Sequence, residues 1–233
     1  MIEHRFSSSA ILANQLADDL ADRMRDAIEQ RGRVCIAVSG GKTPEQFLQS
    51  LSKQKLDWSK VVVTLVDERW VDESSADSNA ALVKKNLLQG EASKAYFLAL
   101  KNPAGDPISG FMACENTLHE QIRRLDFAVF GMGDDGHTAS WFPNSSALLK
   151  CLDAESSAWC CPVNDAPNGI PRMTLTWRLL GNCRHSYLHF EGPNKLEVFK
   201  QASAPDALLD VQSMPVRQLL QQTQVPLSIF RSE

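Results

Sequence analysis

Val34-Cys35-Ile36-Ala37-Val38-Ser39-Gly40-Gly41-Lys42-Thr43-Pro44-Glu45-Gln46 decides the fold. Its five leading residues form an apolar run of strand length without polar alternation, as expected of a strand buried on both faces of a parallel sheet. Two glycines then turn the chain. Thr43 as cap, Pro44 at the first helical position and Gln46 able to close a capping box predict a helix over 44–53. Val61-Val-Val-Thr-Leu-Val66 and Phe127-Ala-Val-Phe130 repeat the apolar run. Ile11, Leu12, Leu16, Leu20, Met24 and Ile28 recur at helical steps over 8–30, and further helices are expected at 77–89 and 107–124. Alternation of this kind predicts an α/β protein with an open, doubly wound, mainly parallel sheet of Rossmann-like type.

The second half is less regular but still contains β structure. Strands are expected over 158–163, 172–175 and 186–190, a helix over 193–201, and a loop over 162–171, where three prolines and a glycine fall. No repeat, low-complexity tract or linker interrupts the chain, and a single domain over 1–233 is expected.

Composition narrows the ligand. With 43% hydrophobic and 22% charged residues, the 233-residue chain reads as an ordinary globular protein. A net charge of −4 provides no basic field for nucleic acid, so an anionic ligand must be small and met by a local cluster of donors. No apolar run approaches a membrane span, and Met1-Ile-Glu-His-Arg-Phe6 lacks a secretory pattern, so a cytoplasmic location away from membranes is expected. The six cysteines include no C-x-x-C pair or His-Cys ligand spacing and read as reduced, mostly buried thiols.

Three segments follow expected parallel strands and should converge at the carboxyl edge of the sheet. Ser39-Gly40-Gly41-Lys42-Thr43 combines bare N–H groups with a helix N-terminus and suits a phosphate; Lys42 is either an extra phosphate contact or a solvated side chain. It is not a P-loop, because Ile36 stands where that motif needs glycine. Gly131-Met-Gly133-Asp134-Asp135-Gly136 matches the dinucleotide fingerprint, but two carboxylates would face the pyrophosphate and Pro143 lies early in the required helix. His137, directly after that turn, is the candidate general base, with Asp135 to orient it. His4 and His119 read as surface residues, and His185 and His189 as one strand face without an acidic partner. The third segment, Asp67-Glu68-Arg69, brings two carboxylates and a guanidinium to the same edge. The tryptophans read mainly as packing, with Trp141 as an apolar wall within the histidine loop.

These segments, in this order, together with Ser78-Asn79, Pro171-Arg172-Met-Thr174 and Gly192-Pro-Asn-Lys195, resemble the 6-phosphogluconolactonase family over nearly the whole chain. The resemblance implies hydrolysis of 6-phospho-D-glucono-1,5-lactone in the oxidative pentose phosphate pathway, without metal or organic cofactor. It implies phosphate binding on Ser39 to Thr43 with Arg69, Arg172 and Lys195, Asp67 and Glu68 holding their loop, and water activation by His137. The expected partner is the small substrate, and the expected assembly a monomer or small homo-oligomer. The related glucosamine-6-phosphate deaminases share the Asp-Gly-His turn but continue into Asn-Glu-Pro, whereas this chain reads His137-Thr-Ala-Ser-Trp-Phe-Pro143 and carries Arg69 where those enzymes have tyrosine. A non-catalytic sugar-phosphate sensor is the other alternative, disfavoured because no helix-turn-helix or basic patch precedes residue 34.

Overall fold

The computed structural model describes residues 1–205 and 208–232. The first half runs β1 (Ile2–Phe6), α1 (Ser9–Arg31), β2 (Val34–Val38), α2 (Glu45–Ser52), β3 (Val61–Leu65), β4 (Asp67–Arg69), α3 (Asn79–Asn86), β5 (Tyr96–Leu98), α4 (Pro107–Gln121) and β6 (Phe127–Phe130). The second half adds α5 (Leu148–Leu152), β7 (Cys160–Val163), β8 (Arg172–Leu175), α6 (Trp177–Leu180), β9 (His185–Glu191), α7 (Pro193–Ala202), α8 (Arg217–Gln221) and β10 (Leu227–Ser232).

Seven strands form one parallel sheet in the order β1-β10-β9-β6-β2-β3-β5, bearing out the α/β, Rossmann-like expectation. The chain winds outward from β2 through β3 to β5, then returns to place β6 on the other side of β2. That reversal opens a crevice beyond the carboxyl ends of β2 and β6, where open α/β sheets take their ligands. Every residue of β2, β3 and β6 is buried, which accounts for their apolar sequences; the one polar residue, Thr64 of β3, donates its hydroxyl to the Leu98 carbonyl.

Helix α1 is set at both ends by local chemistry. The Ser8 hydroxyl accepts the Ile11 N–H, and Gly32 ends the helix at φ +73° with its N–H on the Ile28 carbonyl. Leu12, Leu16, Leu20 and Met24 on its inner stripe are fully buried, each burial worth roughly 1.5–3 kcal/mol. Helix α2 departs from expectation: its cap is Pro44, in helical conformation, with no side-chain cap hydrogen bond from Thr43 or Gln46. Instead, the Glu45 N–H reaches the Lys42 carbonyl at 3.3 Å, and Thr43 lines the crevice.

A second sheet of three antiparallel strands, β4-β8-β7, stands beside the carboxyl edge. Val66 joins the two sheets: its N–H donates to the Val38 carbonyl, and its carbonyl accepts from Leu175. Asp67-Glu68-Arg69, expected as loop residues at the sheet edge, therefore form a strand whose Arg69 pairs in register with Arg172. Three further strands were not anticipated. Edge strands β1 and β5 are short or largely exposed, and β10 interleaves Ser228, Arg231 and Ser232 with its apolar residues. All six cysteines are unpaired and buried, and burial pushes the Cys35 thiol up to about 12. Among the described residues, no helix is long and apolar enough to cross a membrane.

Candidate active site

Two glycine loops are tied together by one serine. Ser39 Oγ donates to the Val129 carbonyl at 2.9 Å and accepts the Gly131 N–H at 2.8 Å, joining the ends of β2 and β6. Gly40 lies directly on Asn79, where a Cβ would sit 1.9 Å from the Asn79 Oδ1 atom. Only glycine allows that approach, and it brings the start of α3 against the loop.

The turn after β6 is held by the Gly133 N–H on the His137 carbonyl at 2.8 Å and by Thr138 Oγ1 donating to the Gly131 carbonyl at 2.7 Å. A Cβ on Gly133 would lie 2.1 Å from His137 Nδ1, so the imidazole packs directly on bare backbone. Ala139 takes φ +50° and Asn144 φ +61°, left-handed conformations that L residues adopt at a cost and that cluster at functional loops.

His137 Nδ1 lies 2.5 Å from Asp135 Oδ1, which also accepts the His137 backbone N–H at 3.0 Å. The carboxylate places the ring proton on Nδ1, and Nε2 has no protein partner among the described residues. Burial works against the Asp135 charge, but the hydrogen bonds from His137 outweigh it and hold the carboxyl at about 2. Phe142 packs against the imidazole with the rings tilted by 50° and centroids 4.6 Å apart, and the Arg172 guanidinium lies 5.1 Å from the same Phe142 ring. Trp141, expected as the wall, is instead fully buried behind the loop, its Nε1 donating to the Leu175 carbonyl at 3.0 Å. The wall is Phe142.

A guanidinium pair shares the cavity with the histidine. Arg69 and Arg172 are cross-strand neighbours lining the same cavity, and the buried Nε of each lacks a partner among the described residues. Arg69 Nη1 donates to the Asp77 carbonyl at 2.7 Å; Arg172 reaches Asn168 Oδ1 at 3.2 Å and Asp67 Oδ2 at 3.5 Å. Burial lowers the Arg172 pKa; Asp67 acts against that and Arg69 adds to it. Two adjacent like charges with unused donors suit an anion.

Both acidic residues of β4 make hydrogen bonds that hold neighbouring segments. Glu68 is buried and accepts the N–H groups of Arg69, Asn79 and Ala80 at 2.7–2.8 Å, fastening the start of α3. Burial nevertheless raises its pKa. Asp67 Oδ2 accepts Ser140 Oγ at 2.5 Å, so Ser140 anchors the histidine loop to β4.

These groups surround a cavity of about 250 Å³. Ser39, Gly40, Gly41, Thr43, Asp67, Arg69, His137, Arg172 and Lys195 all line it. Lys42 is not among the lining residues and is exposed beside them. Asp135 acts from behind the ring, outside the lining. Lys195, at the start of α7, forms an ion pair of 2.9 Å with Asp134. His189 also lines the cavity, buried and 2.8 Å from Glu191, so the expectation that it lacks an acidic partner is corrected. Asn79 was noted only for opening α3, and its side chain lines the cavity as well. The alternation of β9 could have revealed His189 and Glu191 as same-face neighbours two residues apart.

The sequence profile of the family described as glucosamine-6-phosphate isomerases/6-phosphogluconolactonase matches residues 7–227. A 6-phosphogluconolactonase of Pseudomonas aeruginosa is 41% identical over 224 residues, covering 96% of this chain and 92% of its own. One from Rhizobium meliloti is 40% identical, covering 97% of each chain. The crystal structure of a 6-phosphogluconolactonase from Shewanella baltica superposes with a TM-score of 0.95 at 39% identity, covering 100% of this chain and 98% of the other.

Proposed function

The chain belongs to the family of glucosamine-6-phosphate isomerases and 6-phosphogluconolactonases, and from that membership we propose that it hydrolyses 6-phospho-D-glucono-1,5-lactone to 6-phospho-D-gluconate, serving the oxidative pentose phosphate pathway. One observation carries the reading: an imidazole oriented through Nδ1 by a carboxylate, in a cavity that also presents two guanidinium groups with unpartnered donors.

The phosphate is taken by Arg69 and Arg172, with Lys195 and the N–H groups of the Gly40-Gly41 loop beside them. His137 Nε2 then removes a proton from a water whose oxygen bonds to the lactone carbonyl carbon. The carbonyl becomes an oxyanion, met by cavity N–H and guanidinium donors. As the intermediate collapses, the bond to the ring oxygen breaks and Nε2 returns its proton there, leaving the open-chain acid, which ionises in water. Asp135 stays ionised and stabilises the transient imidazolium. Ser39 and Ser140, each engaged in loop-holding hydrogen bonds, are not required as nucleophiles.

No step is routed through a metal. Among the described residues, no group of three or more His, Cys, Asp or Glu side chains is arranged to hold one. The deaminase alternative is disfavoured by the absence of a glutamate after His137, and a sensor would not need an oriented imidazole.

Acid release from freshly generated 6-phosphogluconolactone in weak buffer, with the spontaneous rate subtracted and a chelator present in a parallel run, tests the reading. Strong acceleration by the native chain, unchanged by chelator and near background for folded His137→Ala, supports it. A native rate at background would remove it.

A further inference from the structure

At the opposite end of the same central strands lies a second polar cavity, of about 350 Å³. Arg31, Arg33, Arg123, Arg124 and Arg184 line it, with Asp126 as its one acidic residue. Arg33 precedes β2, Arg184 precedes β9, and Arg123, Arg124 and Asp126 lead into β6, so topology gathers the cluster at the amino ends of adjacent strands. The catalytic loops leave the carboxyl ends of β2 and β6, and the two cavities share no lining residue.

The guanidinium groups are fixed by only part of their donor sets. Arg31 Nη2 and Arg184 Nε both reach Asp126 Oδ1, at 2.8 and 3.1 Å, while Asp126 Oδ2 accepts the Cys35 N–H. Arg33 Nη2 donates to the Gln121 carbonyl at 2.9 Å and Arg124 Nε to the Asn182 carbonyl at 2.8 Å. Arg123 makes no hydrogen bond or ion pair among the described residues. Capping of the α4 carbonyls accounts for Arg33 alone. The fold thus maintains an excess of four positive charges around one concavity in a chain whose net charge is −4.

We propose that this cavity is a second ligand site, taking a small molecule with two or more linked phosphoryl groups, such as a nucleoside diphosphate. Each guanidinium presents a planar fork that matches phosphate oxygens, and those anchored along one edge keep further donors for a ligand. A monoanion would leave most of the charge excess unmatched, whereas a diphosphate spans several arginines. The cavity has the dimensions of a small-molecule site, and the negative balance elsewhere on the chain opposes a long polyanion. Asp126 lies at the arginine anchor and repels any anion, so the contacts fall to Arg33, Arg123, Arg124 and the outer edge of Arg184.

Calorimetric titration of the full chain with inorganic pyrophosphate, and with sulfate as comparison, tests the site at low ionic strength. Native protein is expected to bind pyrophosphate at least about tenfold more tightly than sulfate. Arg123→Ser/Arg184→Ser should weaken pyrophosphate binding by about tenfold or more, the scale of one or two lost charge-assisted hydrogen bonds. Arg69→Met/Arg172→Met, altered in the catalytic cavity, should keep it. Arg123→Glu, at a residue without a protein partner, gives the same loss with an unchanged ligand-free melting temperature, separating lost binding from lost folding. The proposal is overturned if native protein gives no binding, if sulfate binds equally well, if the loss follows the Arg69/Arg172 variant alone, or if only oligonucleotides or acidic proteins bind.

Discussion

The carboxylate of Asp135 accepts both the ring Nδ1–H and the backbone N–H of His137, at 2.5 and 3.0 Å. One oxygen thereby orients the proposed base and closes the turn that carries it. A carboxylate acting only on the ring would set the tautomer; acting on the backbone as well, it couples ring position to loop conformation.

Replacement Asp135→Asn should therefore lower kcat by roughly tenfold to a hundredfold with little change in KM, a part of the 10²–10⁴ attributable to general-base catalysis. His137→Ala should lose the full factor. Steady-state rates corrected for spontaneous hydrolysis decide this, and a raised KM with unaltered kcat in Asp135→Asn would contradict it.

Since the Asp135 carboxyl is held at about 2, it remains charged through the working range, and its own titration should give the native enzyme no acid limb above about pH 4 that Asp135→Asn lacks. Its depressed value stabilises the fold above the unfolded carboxyl range, and that contribution is lost as pH falls toward 2. A kcat/KM profile for both proteins and acid unfolding curves test the two statements.

His185 gives the opposite charge case with the same direction of pH dependence. Burial foremost, then Arg23 and the amino terminus, hold this imidazole at about 4, against the attraction of Asp19, so it folds neutral. An unfolded histidine binds a proton near pH 6.5, so stability is full above that value and falls as pH drops toward 4, by up to about 3 kcal/mol. His185→Gln, which keeps a polar partner for Ser228, should flatten this part of the stability curve in denaturant titrations.

The side-by-side guanidinium groups of Arg69 and Arg172 predict phosphate selectivity. Arg172→Met should raise KM for the phosphorylated lactone about 10- to 100-fold, the value of one charge-assisted interaction, with a much smaller effect on unphosphorylated gluconolactone. Lysine should rescue poorly, because it lacks the fork and cannot bridge Asp67 and Asn168.

Gly133→Ala should abolish most activity while leaving a folded protein. The added Cβ would lie 2.1 Å from His137 Nδ1, so the ring must shift from the Asp135 carboxylate. Circular dichroism beside the rate assay separates the loss of alignment from unfolding.

Much of this protein was determined by the sequence alone. Near-continuous apolar runs at β2, β3 and β6 set parallel strands, because strands buried on both faces exclude polar groups that have no partner. Glycine-rich turns after two of them marked the edge where the cavity lies, and His137 beside Asp135 was legible because both lie in one local turn. Tertiary structure alone decided what depends on residues far apart in the chain. It paired Arg69 with Arg172, tied Ser140 to Asp67, buried Trp141, left Lys42 outside the cavity lining and brought His189 into it. It also assembled an arginine cavity from residues 31 to 184. Local patterns record backbone geometry and burial over a few residues, whereas these contacts follow from strand order and register, which only the folded sheet specifies.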